Sequence, residues 1–174
     1  RGTESALISC WKILNRCRSW RLDQHNPVAH LTQRCLRGFS LRRGVLRIGL
    51  VACCATKGTV PCAAQDLYLS PLFTKSRAWV ERHCDQWFIL SAEHGLLAPE
   101  TVIAPYERTL NRMNATDRRA WGDRVRQQLE SVAGSRFVAL AGVRYCEPLV
   151  SLDLERPMAG LGIGRQLAWL SRAT

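Results

Sequence analysis

Several short stretches of the chain gather residue types that do chemistry on small polar molecules. The first holds Cys53, Cys54, Thr56 and Lys57, and a second brings Asp66 and Tyr68. A third reads Ser91, Glu93, His94 and Gly95, followed by Pro105, Tyr106 and Arg108. Gly142 and Tyr145 form a fourth, and Gly160, Gly162 and Gly164 precede the last helical period. Lys57 supplies a point charge for a phosphate or carboxylate, with Thr56 and the loop amides as further donors. His94 and Glu93 can trade protons near neutral pH, and Asp66 can act as a base or orient a ribose hydroxyl. Tyr68, Tyr106 and Tyr145 can stack on a base or donate a hydrogen bond. The glycines let backbone approach an anion closely. The expected catalytic residues are therefore His94, Asp66 and Glu93. Substrate binding is expected from Cys53, Cys54, Thr56, Lys57, Tyr68, Ser91, Tyr106, Arg108, Gly142, Tyr145, Gly162 and Gly164.

Each of these has a plainer explanation when taken singly. A lone histidine is more often a core or surface residue than a catalyst, a loop lysine is usually solvated, and a glycine run before a helix is usually a turn. Joint placement gives them weight, and placement depends on the elements that carry them. The sequence has no phosphate-binding G-x-x-x-x-G-K-[ST] loop, no G-x-S-x-G elbow and no strand-borne G-x-G-x-x-G. No cofactor is assigned on this basis.

Val45 to Cys53, Trp87 to Ala92 and Phe137 to Ala141 are short, nearly continuous apolar runs. Strands buried on both faces of a parallel sheet read this way. Helical periods lie between them. Ser70 followed by Pro71 is a start signal, because the serine oxygen can accept from free amides while proline occupies a position whose N–H is unused. Leu72, Ser76, Trp79 and His83 then share a stripe flanked by Phe73 and Val80. A second helix is expected from Asn114, with Asp117 three places on, burying Trp121, Val125, Leu129 and Val132. A short helix near Val143 to Leu152 and a last one through Ile163, Leu167 and Leu170 complete the pattern, with a short strand at Glu155 to Ala159. Strand and helix alternate, which predicts a three-layer α/β domain whose small, mainly parallel sheet of three to four strands is flanked by helices. Ligands of such sheets bind beyond the carboxyl ends of the strands, where the polar stretches fall.

The 174 residues fit one domain, and a hydrophobic share of 47% is enough for a packed core, which excludes wholesale disorder. No apolar stretch reaches the ~18 residues a membrane-spanning helix needs, so no membrane partner is expected. The formal charge of +11 is uneven: residues 1–44 hold nine basic and two acidic side chains. From residue 45 onward, sixteen basic and twelve acidic residues interleave as on a solvated surface. Three readings of the basic leader stand: an arm that touches nucleic-acid phosphates, an Arg-rich targeting peptide, or sequence outside the core fold. Its mismatch with the composition that follows favours the third, with a domain over 45–174. The eight cysteines include no C-x-x-C pair and none at zinc-ligand spacing from a histidine, so no metal is expected. Several lie in apolar runs, as in a reduced cytoplasmic protein with buried thiols. Cys54 alone has a nucleophile's address, at a strand end with Lys57 nearby to favour its thiolate.

The runs LVACCATK, AQDLYLSPLF, FILSAEHGLLAPETVIAPYERTL, LAGVRYCEPL and GLGIGRQLAWL together resemble the bacterial and phage family known as domain of unknown function 6884. The resemblance spans about residues 46–172. Family members usually read SCSKxK or GCGKTK in the first block, so Cys53 and Lys57 match while Ala52, Cys54 and Ala55 depart. That departure weighs against Cys54 as a family nucleophile. Asp66, Tyr68, Ser70, Ser91, His94, Gly95, Pro105, Tyr106, Thr109, Gly142, Tyr145, Gly162 and Gly164 fall on recurrent letters of the family.

The residues favour an enzyme acting on a nucleotide, nucleoside or nucleobase, by cleavage or exchange of an N-glycosidic bond. A non-catalytic nucleotide or nucleic-acid binding module is the second expectation. An interaction domain whose motif letters merely build the fold is the third.

Overall fold

The computed structural model describes residues 45–172. The basic leader lies outside the described residues, as do the nucleic-acid contact expected of it and Cys10, Cys17 and Cys35. In chain order the elements are β1 (Arg47–Ala52), β2 (Cys62–Ala63), α1 (Ala64–Leu67), α2 (Pro71–His83), β3 (Gln86–Ser91), β4 (Gly95–Leu97), β5 (Val102–Ile103), α3 (Ala115–Leu129), β6 (Arg136–Leu140), α4 (Val143–Cys146), β7 (Leu154–Glu155) and α5 (Ile163–Arg172). One five-stranded sheet has the order β4-β3-β1-β6-β7, and β2 pairs with β5 in a separate antiparallel ribbon. β1 runs parallel to both neighbours, with Leu50 between Phe88 and Ala139.

The three long apolar runs are the three central strands, and the period of 2 divides each between two cores. Ile48, Leu50, Phe88, Leu90 and Phe137 face Trp121, Val125 and Leu129 of α3. Val51, Ile89, Val138 and Leu140 face the opposite way, toward Phe73, Trp79 and Val80 of α2 and Leu170 of α5. Helices thus cover both faces, as a continuous apolar strand requires. Gly49 makes the α2 face close: a Cβ there would stand 2.6 Å from Val80 Cγ1.

Local signals set the helix starts. Ser70 Oγ accepts from the Phe73 amide at 3.2 Å with Pro71 opening α2, and Asn114 Oδ1 accepts from the Asp117 amide at 2.9 Å at the start of α3. The α2 stripe is narrower than its period predicts. Leu72 is only half-buried and His83 is exposed, its ring stacked on Trp79 at 4.4 Å.

The sheet has more strands than the expected three to four. β4 adds antiparallel to β3, with Leu90 opposite Leu96 and Ser91 opposite Gly95. Gly95 adopts φ 79°, the left-handed conformation that lets the chain fold straight back, so what reads as a loop after β3 begins a strand. β7 pairs parallel to β6 through Leu154 and Glu155, and it does not extend to Ala159. Strands of two or three residues have no periodicity to read.

The chain leaves β1 toward β3 on one side and leaves β6 toward β7 on the other. Connections that diverge from adjacent parallel strands open a crevice beyond their carboxyl ends. No described helix is long and apolar enough to cross a membrane.

Candidate functional site

The residues beyond β1 and β3 meet around one oxygen. Ser91, the last residue of β3, is fully buried. Its hydroxyl lies 2.8 Å from the Tyr106 hydroxyl and accepts the amides of His94 at 3.1 Å and Glu93 at 3.3 Å. Tyr106 continues the chain to the Tyr68 hydroxyl, also at 2.8 Å. The Ser91 carbonyl in turn accepts the indole N–H of buried Trp121 at 2.8 Å. Helix α3 therefore holds the same strand end from behind.

Lys57 reaches this cluster because residues 56–58 fold against 67–69. The Gly58 amide donates to the Leu67 carbonyl at 2.8 Å, and the Leu69 amide to the Thr56 carbonyl at 3.0 Å. The pairing sets the Lys57 ammonium 4.4 Å from the Tyr106 ring centroid and 5.9 Å from that of Tyr68. His94 packs edge-on against the same Tyr106 ring at 5.4 Å. Lysine and histidine, 37 positions apart, thus share one aromatic support. At the outer rim Arg108 Nη1 stands 3.7 Å from Glu93 Oε2, and Arg124 of α3 donates to the Glu93 carbonyl at 3.1 Å.

Burial pushes the phenols of Tyr68, Tyr106 and Tyr145 well above the ordinary tyrosine range, so all three remain protonated donors at physiological pH. His94 shifts downward. Desolvation of its imidazolium is the main cause and Arg124 adds to it, while the Glu93 carboxylate opposes. The imidazole is accordingly neutral near pH 7 and able to accept a proton.

A cavity of about 240 Å³ opens beside this cluster, between the carboxyl ends of β1 and β6. Cys53, Cys54, Gly142 and Tyr145 line it together with Phe73, Leu140 and Met158. Ser70 and Ser76 of the α2 region, Asn111, Arg144 and Gln166 supply its polar atoms. Cys53 joins the two regions: its Sγ lies 3.1 Å from the Tyr145 hydroxyl, and Tyr145 packs edge-on against Trp121 at 5.6 Å. The Cys54 thiol donates to the Thr56 carbonyl at 3.1 Å.

Family comparison agrees with this arrangement of blocks. A model of a family of unknown function, DUF6884, matches residues 48–172. The chain belongs to that family. It is also 31% identical over 123 residues to the uncharacterised protein YfjM of Bacillus subtilis (strain 168), an alignment covering 65% of this chain and 81% of that protein. No solved structure matches.

In this DUF6884 domain the expected site residues fall into three groups. Lys57, Tyr68, Ser91, Glu93, His94, Tyr106 and Arg108 meet in the polar cluster. Cys53, Cys54, Gly142 and Tyr145 line the cavity. Asp66, Thr56, Gly162 and Gly164 belong to neither set of contacts. The Asp66 carboxylate is held by Arg77 of α2 at 2.7 Å, and Arg77 also binds the Gln65 carbonyl and Glu81. Thr56 contributes backbone pairing and its side chain is exposed. Gly162 and Gly164 stand open at the start of α5, and it is Gln166, one turn on, that reaches the cavity.

Sequence reasoning missed Ser76, Asn111, Arg144, Met158 and Gln166 as cavity residues and Trp121 as a clamp on Ser91. Only Ser76 left a legible trace, as a hydroxyl in an otherwise apolar stripe. No cluster of three or more metal-ligating side chains occurs among the described residues.

Proposed function

We propose that this DUF6884 domain is an enzyme acting on a nucleotide, nucleoside or nucleobase, with cleavage or exchange of an N-glycosidic bond as its reaction. The observation that carries the reading is the convergence of Lys57 and His94 on the Tyr106 ring, beside a mostly apolar cavity at the switch point of a parallel sheet. The cavity suits a base, and Lys57 suits a phosphate or the charge of a leaving anion.

For hydrolysis, the C1′–N bond breaks and its electron pair departs on the base nitrogen, which takes up a proton from solvent. Water oxygen bonds to C1′ and yields a proton to the neutral His94 imidazole, or to the Glu93 carboxylate beside it. In exchange, an incoming base takes the place of water. Asp66 has no part in this scheme, because Arg77 already engages its carboxylate. The free thiols of Cys53 and Cys54 at the site fit a reducing, cytoplasmic setting.

The test incubates the protein with ribo- and deoxyribonucleosides and their 5′-phosphates and separates free base by chromatography. His94→Ala is expected to reduce base release by about 100-fold or more, the scale of a lost proton-transfer group, with little change in melting temperature. The mutual hydrogen bonding of Tyr68, Tyr106 and Ser91 favours a second reading, a module that binds without turnover. Ligand-linked stabilisation without product identifies it.

A further inference from the structure

Ser76 interrupts the apolar face that α2 turns toward the sheet. Phe73, Trp79 and Val80, three and four positions away, are all buried core, and Ser76 itself is only 1% exposed. A helical hydroxyl can bond back to the carbonyl four residues earlier, as exposed ones on this chain do. Thr74 does so to Ser70 at 3.2 Å and Ser171 to Leu167 at 2.9 Å. Ser76 makes no such bond, and since no fully buried side-chain oxygen among the described residues lacks a partner, its hydroxyl keeps a small opening onto the cavity. It lines the cavity instead. A hydroxyl that opens onto the cavity among apolar core neighbours is a ready partner for a polar atom of an occupant.

The rest of the cavity restricts what that occupant is. Phe73, Leu140 and Met158 give apolar walls, while Asn111 and Arg144 bring polar atoms to the lining. A sugar would set several hydroxyls against apolar walls, and an aliphatic chain would leave Ser76 unpaired. A flat heteroaromatic ring with a hydrogen-bonding edge satisfies both requirements. The volume of about 240 Å³ lies below the roughly 300–1,000 Å³ of drug-sized pockets, which suits one ring system.

We infer that this cavity is the base recess of the site and that Ser76 selects among nucleobases by hydrogen-bonding an edge heteroatom. The inference rests on the nucleoside reading above and assigns the base to the gap between β1 and β6. Ser76 is then a specificity-determining residue, and substitutions there change which base binds.

The test is calorimetric titration of the full chain with adenine, guanine, cytosine, uracil and hypoxanthine, and with their ribonucleosides. Wild type is expected to prefer one base. Ser76→Ala keeps the shape and is expected to weaken that base about five- to tenfold, with changes under about twofold for the others. Ser76→Leu fills the recess and is expected to abolish binding of all five. Thermal melting establishes that each variant is folded, and Ser76→Ala decides the matter if Ser76→Leu is not. Unchanged base preference in folded Ser76→Ala overturns the recess assignment and leaves the nucleoside reading standing. Absence of binding to wild type by every base and nucleoside, and by the nucleoside 5′-phosphates titrated alongside them, overturns both.

Discussion

The hydroxyls of Ser91 and Tyr106 lie 2.8 Å apart, fifteen positions apart in sequence, and each holds something the other needs. Ser91 anchors the amides of Glu93 and His94, so the turn presenting the candidate proton-transfer pair is fixed to the end of β3. Tyr106 presents its ring to Lys57 and His94 and passes its hydroxyl on to Tyr68. The aromatic support and the turn thus share one buried oxygen.

Removing either hydroxyl is expected to cost stability, and the two losses are expected to overlap. Ser91→Ala strands two amides and removes one of the two partners of the Tyr106 hydroxyl, for about 1–3 kcal/mol, and Tyr106→Phe strands the Tyr68 hydroxyl for a similar amount. Because the groups share one network, the double variant should lose less than the sum, by about 0.5–3 kcal/mol. Urea titration of the four proteins measures this directly. Strict additivity would show that the two hydroxyls act independently.

Stability is expected to fall on acidification through His94. Its pKa in the folded protein lies below the ordinary value, chiefly from desolvation. As pH drops from above ~6.5, the unfolded-state histidine value, the unfolded chain takes up a proton that the folded chain takes up only at lower pH. The contribution is therefore fully present above the unfolded pKa and is lost as pH falls through the folded one. Replacing the imidazole in His94→Gln should flatten this part of the profile. Denaturation at about pH 7.5 and about pH 5.5 compares the slopes; parallel slopes for wild type and variant would refute the assignment.

Gly49 sets the spacing between the central strand and α2. A Cβ would lie 2.6 Å from Val80 Cγ1 and 2.8 Å from Val80 Cβ, closer than real Cβ atoms approach, and a tight 3.2 Å from Trp87 Cβ. Gly49→Ala is expected to destabilise the domain by about 1–3 kcal/mol, the usual penalty of overpacking. Val80→Ala in the same background should recover only part of it, because it removes Cγ1 but leaves the Val80 Cβ 2.8 Å away. A Gly49→Ala protein as stable as wild type by urea titration would mean that α2 is free to move outward.

Much of this architecture was readable from residue order because its causes are local. Apolar runs announced β1, β3 and β6, and Ser70 with Pro71 and Asn114 with Asp117 marked helix starts, since each cap bonds to an amide only three residues on. Trp121, Val125 and Leu129 declared the buried face of α3 through spacing alone. The recurrent blocks from Cys53 to Gly164 carried the family resemblance, and the match over 48–172 agrees with it. The placement of Lys57, Ser91, His94, Tyr106 and Tyr145 near strand ends followed from the same segmentation.

Contacts between distant segments decided what residue order left open. Asp66 carries the same carboxylate whether it meets a ribose or Arg77, and only the packing of α1 beside α2 selects the arginine. Trp121 reads as core, yet its N–H finds the Ser91 carbonyl thirty positions away. β4 exists because Gly95 reverses the chain onto β3, a pairing with no periodic signature. Ser76 becomes a cavity residue because the end of β6 and Met158 come to line the same cavity. Capping and periodicity act within a few residues and leave their mark in the local string. Which polar side chain finds which partner depends on helices and strands docking across the sheet, and that geometry exists only in the folded chain.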